Sequence, residues 1–260
     1  MTLAYDTAGD GPALLLLHSG VCDRRMWDPQ RSALVDAGYR VVRCDFRGFG
    51  DTPLTGERHN DAEDALAVLD ALGIDKAALV ASSYGGKVAL EIAARWPQRV
   101  SALALLCAAA PDQEPTDELK AFGEREDELI EAGDIAAAVE LNVDTWLGPE
   151  ADEPVRGQVR AMQQRAFDLQ LAAPEGAGRR HVAFEPSTVG APCLAVSGGQ
   201  DLPDFRHTAA RLPGVLADAR HVELPWAGHF PGLERPAETT ALLTAFLDET
   251  VTSAETVRTV

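Results

Sequence analysis

Residues 77–97 read AALVASSYGGKVALEIAARWP, and the folding of this stretch decides how the rest of the chain is read. The apolar run Ala77–Ala81 stops at Ser82-Ser83-Tyr84-Gly85-Gly86, and a helix-like pattern begins at once, with no polar loop between. Three readings compete. A phosphate-binding loop needs G-x-x-x-x-G-K-[ST]; Gly86-Lys87 fits, but Ala81 stands at the first glycine and Val88 replaces the metal-binding hydroxyl, so this reading is rejected. A nucleophile elbow needs small residues two before and two after its serine, because the strand-to-helix turn presses those side chains against neighbouring backbone. Ser83 has Ala81 and Gly85 at those places, whereas Ser82 would have Val80 and Tyr84, which clash. The third reading is two serines capping a helix. On this stretch alone, elbow and cap are evenly matched.

Moving outward, apolar runs of strand length recur at Ala13–Leu17, Tyr39–Cys44, Ala102–Cys107, Cys193–Val196 and Ala219–Leu224. Helical patterns such as DAEDALAVLDALG lie between most of them. Short, continuous apolar strands alternating with helices imply an α/β fold, with a mostly parallel central sheet covered by helices on both faces. Such sheets carry their chemistry at the carboxyl ends of the strands. The alternation breaks between Pro111 and about Pro186, where helical patterns occur without a convincing strand, punctuated by Gly133, Gly148-Pro149 and Pro174. The expected division is a core of residues 1–110 and 187–250, a helical insertion over 111–186, and a frayed tail at 251–260. A lid over the strand ends and extra helices on the sheet both fit the insertion's pattern.

The chain has 260 residues, 46% hydrophobic and 25% charged, enough for one α/β domain with a sizeable core. Its formal net charge of -18 repels phosphate backbones and anionic headgroups, so neither nucleic acid nor a membrane surface is expected as a partner. Four scattered cysteines, with no Cys-x-x-Cys pair, do not make a disulfide framework. Without a signal-like opening or an apolar run near the roughly 20 residues of a membrane span, the expected location is cytoplasmic.

A serine hydroxyl needs a histidine base held by a carboxylate. Among the six histidines, His59 and His181 sit among charged residues and read as surface, and His221 lies inside a strand-like run and reads as packed. His229 differs: VELPWAGHFPGLERP puts it in a glycine-containing loop just beyond the last strand. Asp201 follows the preceding strand behind two glycines in CLAVSGGQD, with Asp204 and Asp112 as competitors. The order Ser83, Asp201, His229 is that of an elbow-headed triad. Tyr84 N–H and a donor after the ALLLLHSGVCD strand, at Gly20 or Val21, would complete an oxyanion hole. Four elements at four strand ends decide for the elbow.

At these residues the sequence resembles the α/β-hydrolase fold family, within its capped serine hydrolases. The resemblance runs through LLLLHSG, RVVRCDFRGFGDT, VASSYGGKVALEIAARWPQRV, CLAVSGGQD and GHFPGLERP, and MWDPQRSAL with RCDFRGFGDT places it nearest the enol-lactonase and small-ester branch. It implies Ser83 as nucleophile, Asp201 as acid, His229 as base and a mobile helical cap. Three departures stand out: His18-Ser19 replaces the usual His-Gly, Ser82 occupies a position often held by histidine, and the first of the usual eight strands is expected to be missing or rudimentary.

The expected reaction is hydrolysis of a small or medium hydrophobic carboxylic ester or lactone through an acyl-enzyme, with Trp27, Trp146, Met162 and Phe167 as candidate pocket walls. Carbon–carbon bond hydrolysis, cofactor-free perhydrolysis and low-turnover ligand binding remain alternatives on the same triad. No metal and no organic cofactor is expected, since no two histidines share ligand spacing on one element.

Overall fold

The computed structural model describes residues 2–111 and 114–252. The first half of the chain forms β1 (Tyr5–Ala8), β2 (Ala13–Leu17), α1 (Asp28–Asp36), β3 (Arg40–Cys44) and the two-residue β4 (Arg58–His59). Next come α2 (Asp61–Ala71), β5 (Ala77–Ser82), α3 (Tyr84–Arg95) and β6 (Val100–Leu106). Three helices follow, α4 (Asp117–Glu131), α5 (Ile135–Trp146) and α6 (Glu153–Leu171), then the two-residue β7 (Gly178–Arg179). The chain continues through β8 (Cys193–Gly198), α7 (Pro203–Arg211), β9 (Ala219–Leu224), α8 (Pro231–Glu234) and α9 (Pro236–Leu247).

Among the described residues the main sheet has seven strands, ordered β1-β3-β2-β5-β6-β8-β9. β1 is antiparallel to β3 at one edge, and every other pairing is parallel. β5 and β8 are buried along their whole length, which is why they read as unbroken apolar runs rather than as alternation. Leu15, Leu17, Leu79 and Ala81 face one core with α2 and α3; Leu14, Leu16, Ala78 and Val80 face the other with α1 and α9. After β2 the chain runs outward to β3 and then returns to lay β5 on the other side of β2. That reversal is a topological switch point, where an open α/β sheet leaves a crevice at its carboxyl edge. Leu17 pairs with Ala81, so the loop after β2 and the turn after β5 open into that crevice together.

The helices α4–α6 fill the expected insertion. Between them Leu129, Ala138, Val139 and Phe167 form a small core of their own. Side chains of α6 fasten the insert to the core: Gln158 donates to Arg25 O at 3.0 Å, Arg165 to Gly50 O at 3.0 Å and Gln170 to Gly48 O at 3.2 Å. Contrary to expectation the insertion also holds a strand, because β7 pairs in parallel with β4. Arg179 then reaches Asp61 at 2.9 Å and Arg180 reaches Glu63 at 2.6 Å. At the start of the expected tail, Val251 is buried among α9 residues in the core; residues 253–260 lie outside the described residues. Among the described residues no helix is long and apolar enough to cross a membrane.

Candidate active site

Ser83 occupies a backbone conformation that a capping serine does not adopt. Its φ of 52° and ψ of -118° lie far from the extended geometry of an N-cap, and its side chain makes no capping bond to α3. Such a strained serine between strand and helix is the signature of the elbow. The turn is held by Ser83 N–H donating to Leu106 O and Ala109 N–H donating to Ser83 O, both at 3.0 Å. Gly85 shows why the flank must be small: a Cβ there would lie 2.5 Å from Leu17 O and 2.6 Å from His18 O. Both are backbone atoms with nowhere to go, so Gly85→Ala should cost about 2–3 kcal/mol of stability, measured by urea unfolding.

Ser82, the residue before it, is buried, and its Oγ has no hydrogen-bond partner. An unsatisfied buried hydroxyl costs stability, so Ser82→Ala should gain about 1 kcal/mol in the same assay.

The loop after β2 lies against this turn. His18 is fully buried, with Nδ1 2.7 Å from Ser19 O and Nε2 accepting the Phe46 N–H at 2.9 Å. That pattern assigns the proton to Nδ1, and burial lowers the pKa of the ring. Ser19, which replaces a glycine of the family pattern, takes up the Val21 N–H on its Oγ at 3.4 Å. Gly20 has no such engagement among the described contacts, and a Cβ on it would sit 3.5 Å from Tyr84 Cβ. Of the two donors weighed from sequence, Gly20 is therefore the one left free beside Tyr84.

Asp201 and His229 come together from the ends of β8 and β9. His229 Nδ1 is 2.8 Å from Asp201 Oδ2, and both side chains are almost fully buried. Asp201 Oδ1 accepts the Leu202 N–H at 2.7 Å, which fixes the second carboxylate oxygen. The imidazole is boxed by Phe205, Trp146 and Phe230, with ring centroids at 4.2, 4.7 and 5.1 Å. No hydrogen bond joins Ser83 Oγ to His229 in this structure. β5 and β8 flank β6, two strand spacings or about 10 Å apart. Asp204, the competitor, is spent elsewhere: it accepts Thr116 N–H at 2.9 Å and Thr116 Oγ1–H at 2.5 Å, anchoring the start of α4. Asp112 lies outside the described residues.

The pocket candidates separate. Trp27, Trp146 and Met162 fall in the core cluster that also holds Phe205 and Phe230, and of the three it is Trp146 whose ring packs against the imidazole. Phe167 does not join them; it packs in the insert's own core with Leu129 and Val139. The sequence also concealed Cys107. In sequence it only closes the apolar run Ala102–Cys107, yet its thiol lies within 4.8 Å of both Asp201 and His229, on a residue with φ of 48°. Burial pushes the thiol well above its usual range, and the Asp201 charge adds to this, so it stays protonated.

His59 corrects the surface reading, being buried with Nε2 3.3 Å from Asp61 Oδ1. Tyr84 donates its hydroxyl to Asp61 at 2.5 Å, and Arg179 stacks over the Tyr84 ring at 4.6 Å. Burial alone would raise the Asp61 carboxyl, but His59, Arg179 and Tyr84 together hold it below its usual range. His59, Asp61 and Asp64 are close enough to share a metal ion, a carboxylate grouping the sequence reading did not see. Arg179 and Arg47 already pair with those carboxylates, which supplies the positive charge an ion would bring.

A profile described as alpha/beta hydrolase fold matches residues 12–136. The chain is 36% identical over 109 residues to a 2-hydroxy-6-oxo-6-phenylhexa-2,4-dienoate hydrolase of Comamonas testosteroni, covering 39% of this chain and 38% of that protein. That alignment, like another covering 42% of a curated relative, spans less than half of the partner protein. Over most of its length, 93%, it is 28% identical to a 2-hydroxymuconate semialdehyde hydrolase of Pseudomonas sp. strain CF600, covering 89% of that protein. Among solved structures, the enol-lactonase from Burkholderia xenovorans LB400 superposes with a TM-score of 0.76 at 26% identity, covering 94% of this chain and 96% of that one. In architecture this chain has the α/β-hydrolase fold, and over residues 12–136 its sequence is similar to that family.

Proposed function

We propose that this protein is a serine hydrolase that cleaves a small or medium hydrophobic carboxylic ester or lactone through an acyl-enzyme. Ser83 attacks the carbonyl carbon while His229 takes its proton, and Asp201 holds the imidazole in the tautomer that leaves Nε2 free to accept. The N–H groups of Gly20 and Tyr84 receive the negative charge that develops on the carbonyl oxygen. The tetrahedral adduct collapses, His229 protonates the leaving alkoxide, and the same imidazole then activates the water that releases the acid. Residues 111–186 form a cap over these strand ends, and the apolar side chains of Trp27, Trp146 and Met162 favour an apolar substrate.

The observation that carries this reading is Ser83 itself: a serine at φ 52°, outside capping geometry, on the same sheet edge as a buried Asp–His pair that follows β8 and β9. A panel of p-nitrophenyl esters and lactones of graded chain length tests it. Turnover that peaks on short or medium apolar substrates is expected; no turnover of any member contradicts it. The names of the dienoate and semialdehyde hydrolases favour a second reading, carbon–carbon bond hydrolysis on the same residues. Activity confined to a dienoate substrate of that kind would select it.

A further inference from the structure

Glu234 ends α8, and its carboxylate serves the backbone on both sides of His229. Oε2 accepts the Gly228 N–H at 2.9 Å, and Oε1 accepts the Phe230 N–H at 3.2 Å. The Gly148 N–H, just past the end of α5, faces the same carboxylate. The contact is closed to any side chain: a Cβ on Gly148 would fall 2.6 Å from Gly228 N and closer still to Glu234 Oε2. His229 N–H donates in turn to Trp146 O at 2.8 Å, and the Trp146 ring lies on the imidazole. One carboxylate therefore stands where the loop bearing His229 meets the last turn of α5.

The proposed mechanism gives this group no proton to move. Packing does not explain its charge either, because burial raises the carboxyl's pKa despite the pull of three backbone N–H groups and of His229. A buried carboxylate spent on the backbone either side of His229, five residues along the chain, fits a site that sacrifices stability for function.

We propose that Glu234 is a positioning residue that fixes the backbone carrying His229 and ties that loop to the end of α5, so that base and insert shift as one body. This rests on the proposed role of His229. The resemblance implied a mobile cap; at α5 the structure instead provides a fastening, and any opening of the insert would carry the base with it.

The test is Glu234→Gln, which keeps the side chain's size and removes its charge. The titratable groups facing His229 are Asp201 from the end of β8, Cys107 from the end of β6 and Glu234 from α8, while α5 and α7 present Trp146 and Phe205. The neighbouring Arg235 is taken up by Glu150 and Glu238. In the folded variant, kcat on p-nitrophenyl acetate should fall by roughly 10- to 100-fold with KM little changed, the loss expected of a misplaced base. The acid limb of kcat/KM should also move to lower pH, because an imidazolium there loses a neighbouring carboxylate. A merely structural glutamate would move neither kcat nor that limb in a variant that folds, and that outcome overturns the proposal. Should Glu234→Gln fail to fold, Gly148→Ala presses on the same contact from α5: a comparable fall in kcat supports the proposal, and an unchanged kcat overturns it. Fluorophosphonate labelling of wild-type Ser83 runs alongside. Its absence would sink the serine-hydrolase reading and the inference with it, whereas normal labelling with unaltered variants sinks the inference alone.

Discussion

Replacing Ser83 by alanine should lower kcat by on the order of 10⁶-fold, the scale seen when a serine nucleophile is removed from a complete triad. Neither Cys107 nor Ser82 is placed to form the acyl-enzyme in its stead. The Cys107 thiol is buried and held protonated, and the Ser82 hydroxyl belongs to β5 and is itself buried. Stability should scarcely change, because the Ser83 side chain makes no capping bond and the φ of 52° is imposed by the backbone contacts to Leu106 and Ala109. The variant should therefore melt like the wild type while showing no burst of p-nitrophenol. Rate that survives would come only from the oxyanion donors and substrate binding. Retention of most of the esterase activity in a correctly folded Ser83→Ala protein would mean that another nucleophile does the work.

Asp201→Asn should cost roughly 10⁴-fold in kcat, since an amide can stabilise the wrong imidazole tautomer while leaving the geometry intact. The Asp201 carboxylate meets His229 Nδ1 at 2.8 Å and the Leu202 N–H at 2.7 Å. An asparagine can keep one of these contacts, but when its NH2 faces Nδ1 it turns that nitrogen into an acceptor, and the proton moves to the side that must take one from Ser83. The loss should appear in both kcat and kcat/KM. Asp204→Asn is the control. Its partner is Thr116 at the start of α4, so it should loosen the insert while keeping most of the turnover. If Asp204→Asn proved the more damaging of the two, the assignment of the acid would be reversed.

What the sequence made legible followed from how local each constraint is. The strands at Ala13–Leu17 and Ala219–Leu224 match the structure residue for residue; the first reads as a bounded apolar run because it lies within the covered sheet, whereas β9 is a partly exposed edge strand. The elbow was legible because its steric demand falls on Ala81 and Gly85, two residues either side of Ser83, and Leu17 O and His18 O do press on Gly85. The two glycines ahead of Asp201 already favour it over Asp204 in sequence, and the structure adds that Asp204 binds Thr116, 88 positions away. His59 misled because its neighbours Arg58, Asn60 and Asp61 are polar, and only the β4–β7 pairing and the Asp61 network show it to be buried. A two-residue strand such as β7 leaves no periodicity to detect. Phe167 was apolar at helical spacing in either case; that pattern cannot say which of two cores a helix faces. Cys107 was invisible because its neighbours Asp201 and His229 arrive from the ends of other strands.

The most direct measurement is the rate and position of a fluorophosphonate adduct, read by peptide mass spectrometry in the wild-type protein and in His229→Ala. A single equivalent on the tryptic peptide bearing Ser83, lost when the imidazole is removed, is the predicted result. A folded, wild-type protein that takes up no reagent, or takes it up at Ser82 or at the same speed without His229, would contradict the whole account.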